Sequence, residues 1–248
     1  MNHVVKSADR VLDLIETFAA AKRPLSISDL AERLEAPISS CHGLVHTLLQ
    51  RGYLYGLGAR KAVYPTRRLL AAAEVIDAHD PLVERLRHEM ERLRDETRET
   101  VILGKRQGDA AVYLEIKEGL QTIRYTAGVG ELKPLHSSAI GKAILSGLDD
   151  DALGACLARL DLARVTENTK TDPAALFDEI ARGRDAGYQT TRGENVSDVM
   201  AFAVPLIFHG DDIGIVVAGP IHRMAENESA IVGALLDFQS RLALQEAA

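Results

Sequence analysis

The sequence predicts an α+β chain in two parts: a small helical head closed by a β-hairpin, and a larger body built on a central antiparallel sheet. Three observations carry this. Up to Gln50 the apolar residues recur at helical spacing. From Thr100 the period shortens, and β-prone runs alternate with glycine-containing turns. The body places its strands first, then helices, then strands again, the segregated order of an α+β domain. A length of 248 residues, 46% hydrophobic and 26% charged, suits one large globular domain or two small ones and excludes a disordered or collagen-like chain.

In the head, Val11, Leu14, Ile15 and Phe18 form one helical stripe, with Ser7 as the expected N-cap and Pro24 as the stop. A short helix over Ser28–Leu34 follows. Pro37 turns the chain and opens a third helix, Ile38–Gln50, whose Cys41, Leu44, Val45, Leu48 and Leu49 should face inward, with Gly52 as its stop. Tyr53–Tyr55 and Ala62–Tyr64 flank a basic, glycine-containing tip and read as a hairpin. Helix, helix, turn, helix, hairpin is the layout of a winged helix-turn-helix. A helical linker, Arg67–Ala78, leads to Pro81, which opens a long helix to about Arg98. The expected boundaries are 1–66 for the head, 67–80 for the linker and 81–248 for the body.

In the body, Val101–Lys105, Ala111–Ile116 and Thr122–Thr126 are expected as an antiparallel meander. Helices should begin near Ser138, Asp149 and Pro173. Strands Tyr188–Arg192, Ala201–Phe208 and Ile213–Ala218 follow, the last two joined through His209–Asp212, and a helix over about Asn227–Ala243 closes the chain.

Charge divides the same way. Residues 1–70 balance at +4 and the remainder at −11, a basic head on an acidic body, which suits a head that meets a polyanion. The N-terminus carries no apolar run, and the longest apolar stretch, Ala201–Phe208, is far short of the roughly 20 residues of a bilayer span, so a cytoplasmic chain without membrane contact is expected. Cys41 and Cys156 are too few for a disulfide framework or a four-ligand zinc site.

On the third helix, Ser39, Ser40, His42 and His46 project away from the apolar face. Hydroxyls and imidazoles there suit phosphates and base edges, and Arg60 and Lys61 at the hairpin tip suit backbone phosphate or the minor groove. The alternative is a merely solvated face and turn. Enzyme readings fare worse. His136-Ser137-Ser138 are adjacent only in sequence, no G-x-S-x-G elbow occurs, Gly128-Val129-Gly130 lacks a third glycine, and Gly141-Lys142 precedes Ala143 rather than Ser or Thr. Neither catalysis, cofactor nor metal is expected. The small residues after Leu135 open a helix whose N–H groups and positive end suit an anion, against the alternative of a tightly packed helix start.

Four segments resemble the IclR-type bacterial transcriptional regulators. They are Ala8–Ile15; Ser28–Ala31 through Arg51–Leu54; Leu135-His136-Ser137-Ser138-Ala139-Ile140-Gly141-Lys142-Ala143, like the signature L-H-x-[ST]-A-x-G-K-A; and Gly187-Tyr188 to Gly193-Glu194 with Ala203-Val204-Pro205 and Ala218-Gly219-Pro220. The resemblance implies a GAF-like effector domain, a homodimer or dimer of dimers, a palindromic double-stranded operator, and a repressor-type response of a catabolic operon to a small organic or aromatic acid. Two departures stand out. Gly43, not Arg, follows His42, and Ala201, Val216 and Ala218 stand where some members offer Ser or Cys to the ligand. The pocket is then expected between the sheet and the helix opening at Ser138. Thr126, Gly128, Leu135, Ala139 and Ile140 form its floor and Met200, Phe202, Val216 and Ala218 its far wall. N–H groups near Ser138–Ile140 take a carboxylate, and Glu194 accepts from a ligand hydroxyl. The competing expectations are a sensor or interaction module without specific DNA binding, and side chains that pack together and leave no cavity.

Overall fold

The computed structural model describes residues 5–58, 61–208 and 211–246, and the chain divides into two compact units, Met1–Asp80 and Pro81–Ala248.

In the first unit, α1 (Lys6–Ala21) buries Leu14 and Phe18. Its N-cap is Val5, whose carbonyl accepts from the N–H groups of Ala8 and Asp9; Ser7, expected as the cap, therefore lies inside the first turn. The two-residue strand β1 (Leu25–Ser26) leads into α2 (Ile27–Arg33), fixed by a capping box in which Ser26 and Asp29 satisfy each other's backbone N–H groups. Asp29 is consequently held below the usual carboxylate range, first by the Ser26 backbone N–H. Helix α3 (Ile38–Gln50) has the expected bounds and buries Cys41 and Val45, but Leu49 faces solvent, because it lies off the stripe set by Cys41, Val45 and Leu48. Strands β2 (Leu54–Leu57) and β3 (Ala62–Pro65) form the hairpin, and β1 completes a three-stranded sheet ordered β1-β3-β2. Helix α4 (Arg68–Asp77) follows and buries none of its residues.

In the second unit, α5 (Pro81–Thr97) precedes β4 (Thr100–Gln107) and β5 (Ala110–Lys117). The expected strand Thr122–Thr126 is absent: β6 (Leu132–Pro134) takes the sheet edge instead, pairing Ala110 with Pro134 and Val112 with Leu132. Residues 121–126 thus have no neighbouring strand, and Tyr125 is held through its carbonyl, which accepts from the Thr100 hydroxyl at 2.6 Å. Then come α6 (Ala139–Ser146), α7 (Asp150–Arg159) and α8 (Pro173–Ala186), N-capped by Ser138, Asp149 and Asp172. The chain ends with β7 (Gln189–Arg192), β8 (Val199–Phe208), β9 (Asp211–Pro220), α9 (Ile221–Glu226) and α10 (Glu228–Glu246). The six strands run β6-β5-β4-β9-β8-β7, each antiparallel to its neighbours.

Alternation along these strands separates two cores. Met200, Phe202 and Val204 pack with Ile215, Val217 and residues of α5 and α10; Ala201, Ala203, Val216 and Ala218 pack with residues of α6, α7 and α8. Helix α6 sits unusually close to what lies beneath it. A Cβ on Gly141 would stand 2.4 Å from the Leu135 backbone, and one on Gly104 would stand 2.7 Å from Ile140 Cδ1.

Candidate DNA interface and effector pocket

The exposed face of α3 carries Ser39, His42 and His46, as its spacing requires. Ser40 is half-buried, and its Oγ accepts from Arg10 Nη1 of α1 at 2.7 Å. Arg10 thus stands at the N-terminal end of a helix that contains no Lys or Arg, a placement that no spacing within α3 could reveal. Lys61 is exposed at the hairpin tip with a left-handed φ of 46°. Arg60 lies outside the described residues.

In the second unit a cavity of about 30 Å³ opens between α6 and the sheet, lined among others by Ser138, Ala139, Ile140, Ala201, Val216 and Ala218. Its sheet side is made of small side chains: Ala201 pairs with Ala218 across β8 and β9, and Thr191 of β7 pairs with Ala201. The N–H groups of Ala139 and Ile140, first in α6, have no acceptor among the described residues; both residues are buried. Thr191 lines the same cavity, is 5% exposed, and its hydroxyl bonds to no described residue. Tyr113 and Tyr125 form the rim. Burial, and then the neighbouring Tyr125, push the Tyr113 phenol above its ordinary range, so it is a neutral hydrogen-bonding group at any physiological pH.

Other expected members stand elsewhere. Met200 and Phe202 cannot share a wall with Val216 and Ala218. In the observed register Ala203 and Ala201 oppose those two, and the odd-even alternation turns Met200 and Phe202 to the α5–α10 face. Thr126 and Gly128 are exposed, because residues 121–126 leave the sheet. Leu135 is buried under Gly141 rather than along the cavity. Ile140 reaches the cavity, but its Cδ1 and Cγ1 are packed toward Gly104 and Gly214.

Glu194 does not wait for a ligand. Its Oε2 accepts from Lys142 Nζ at 2.6 Å, and the same ammonium donates to Glu179 Oε1 at 2.8 Å. The Lys142 side chain is 0% exposed. Burial alone would raise the Glu179 carboxyl, but Lys142 and Lys170 outweigh it and hold Glu179 below its ordinary value. The Glu194 carbonyl accepts from the hydroxyls of Thr166 and Thr169. Next to it, Asn195 donates to Ser137 Oγ at 3.1 Å and lines the cavity. His136 Nε2 meets the Ala163 carbonyl at 2.9 Å, and Ser138 caps α6. His136, Ser137 and Ser138 therefore hold three different partners and form no triad.

Thr191, Asn195, Tyr113 and Tyr125 escaped the sequence reading because strand register and loop path, not local pattern, bring them together. Lys142 entered that reading only as part of the rejected phosphate-loop motif and of the family signature.

Similarity to known proteins extends over both units. Residues 73–243 match the family described as "Bacterial transcriptional regulator IclR C-terminal", and residues 7–58 match "IclR helix-turn-helix domain". The HTH-type transcriptional regulator BhcR of Paracoccus denitrificans is 31% identical over 241 residues, covering 96% of this chain and 86% of the relative. The crystal structure of the Thermotoga maritima IclR superposes with a TM-score of 0.77 at 22% identity, covering 96% of this chain and 99% of that one. An IclR homolog of Microbacterium hydrocarbonoxydans, solved in complex with 4-hydroxybenzoate, superposes with a TM-score of 0.66 at 25% identity, covering 94% and 99%.

Proposed function

Because this chain belongs to the IclR family and is a helix-turn-helix transcriptional regulator, we propose that it represses a catabolic operon by binding a palindromic operator as a dimer and releases it when a small carboxylic acid enters the α6 cavity. The observation that carries the ligand reading is the pair of unpaired, buried N–H groups of Ala139 and Ile140 at the positive end of α6. A carboxylate satisfies both, and a helix N-terminus contributes about 0.3–1 kcal/mol to such an anion, more where partly buried. The Thr191 hydroxyl and the neutral Tyr113 phenol offer partners for a second polar group, and the alanine pair leaves an apolar floor for a ring or short chain. A cavity of about 30 Å³ holds roughly two waters, so an aromatic acid enters only as Val196, Val199 and the tyrosine rim part. The homolog bound to 4-hydroxybenzoate supports the ligand class.

Helix α4 supports the dimer. Leu70, Val75 and Ile76 are 46%, 62% and 71% exposed on a helix with no buried residue, more apolar surface than a solvated spacer needs. One winged helix covers little DNA, so specific binding requires at least two copies. The test begins with an operator selected in vitro from random duplexes. Gel shifts in rising salt, with and without benzoate-type and short-chain acids, should show specific binding that one class of acid weakens. A protein that selects no duplex sequence would overturn the reading in favour of a sensor without DNA specificity.

A further inference from the structure

The end of the recognition helix and the start of the linker helix are tied together by a cluster that neither DNA contact nor the core explains. Arg68, in the first turn of α4, donates from Nη1 to the Arg51 carbonyl at the C-cap of α3, at 2.9 Å. Its guanidinium carbon lies 5.1 Å from the centre of the Tyr53 ring, and that of Arg51 lies 5.8 Å from the same ring. Beside it, Thr66 donates its hydroxyl to the Gly52 carbonyl at 2.6 Å and its N–H to the Tyr53 carbonyl at 2.8 Å. Four of these five contacts, the two of Arg68 and the two of Thr66, bridge the segments and fix the angle at which α4 leaves α3, although α4 itself buries nothing.

We propose that Arg68 is a positioning residue for operator geometry: through the Arg51 carbonyl and the Tyr53 ring it sets α4 rigidly against α3, and so sets the spacing and phase of the two half-sites. The inference rests on the dimer reading above. If two chains meet through α4, the distance between their recognition helices is fixed only as firmly as each α3–α4 joint. The planar guanidinium can both donate to a carbonyl and stack on a ring, which a lysine ammonium does less well. One base pair inserted between half-sites turns them by about 35° and separates them by about 3.4 Å, a mismatch that a stiff joint resists and a loose one absorbs.

The experiment compares wild type with Arg68→Met and Arg68→Lys on the selected operator, on versions with one or two base pairs inserted or removed at the centre, and on a single half-site. Sedimentation first establishes the dimer and circular dichroism the fold. Wild type should lose tenfold or more in affinity on each altered spacing. Arg68→Met should lose threefold or less, while its half-site affinity and the salt slope stay at the wild-type value; Arg68→Lys should fall between. A dimeric Arg68→Met that keeps the wild-type spacing profile overturns the proposal. So does a uniform loss on every duplex with a salt slope reduced by about 0.9, which would make Arg68 a phosphate contact. A strictly monomeric wild type instead sinks the dimer reading on which the proposal depends.

Discussion

Replacing Lys142 by methionine removes the one cation shared by the buried Glu194 and the half-buried Glu179. Its Nζ stands 2.6 Å from Glu194 Oε2 and 2.8 Å from Glu179 Oε1, and the Glu194 and Glu179 side chains are only 6% and 14% exposed. Methionine fills most of the volume, so the cost is electrostatic: two acids left in a poorly hydrated site, facing each other. Breaking a buried pair by deleting one partner costs about 3–5 kcal/mol. Lys170 still reaches Glu179, which keeps the cost within that range rather than above it. For a unit of this size each kcal/mol moves the midpoint by about 2–4 °C, so the melting temperature should fall by roughly 6–20 °C at pH 7. Thermal unfolding of the full chain followed by far-UV circular dichroism reads this directly. The gap should shrink as pH falls toward the ordinary glutamate range, because the stranded carboxylates take up protons. Adding Glu194→Gln and Glu179→Gln should restore most of the loss. A Lys142→Met protein within about 1 kcal/mol of wild type at pH 7 would show that the network does not stabilise the second unit.

Other outcomes follow from the same geometry. Gly141→Ala places a methyl 2.4 Å from backbone that cannot move aside, and should cost at least the 1–3 kcal/mol typical of overpacking, measured by urea unfolding. Ala218→Leu fills the cavity floor and should abolish the acid response in gel shifts while operator affinity without acid is unchanged; an intact response would place the ligand elsewhere. Lys61→Ala should weaken binding to all duplexes and lower the salt slope by about 0.9; a slope equal to wild type would remove the wing from the interface. Glu179 is held below its ordinary value of 4.5 in the folded state, so its contribution is present above that pH and lost as pH falls through and below it. Glu179→Gln should therefore flatten acid unfolding in that window, seen as a shallower loss of midpoint temperature.

The sequence reading succeeded where local physics decides. Pro37, the apolar positions of α3 and Gly52 bound the recognition helix to the residue, and Asp149, Pro173 and Gly187 mark helix ends by capping chemistry. The signature around Ser138 marks the start of α6, because its small residues meet a packing requirement at Gly141 and a capping requirement at Ser138. It failed where register decides. Met200 and Phe202 lie one residue from the correct wall, and in a strand one residue is the opposite face. Thr122–Thr126 has strand composition but no partner, since β6 holds the edge. Lys142 carries no local sign of its burial: the two carboxylates that make it tolerable come from α8 and from the loop after β7, far along the chain.

The parity that misled the reading of β8 also divides labour between selection pressures. Met200, Phe202 and Val204 answer to the stability of the α5–α10 core, whereas Ala201, with Ala218 opposite it, packs on the α6 side and lines the cavity there. Alternate positions of a single strand can therefore diversify independently. A library confined to Thr191, Ala201, Val216 and Ala218 would vary the cavity lining on the α6 side while leaving every residue of the α5–α10 core as it stands.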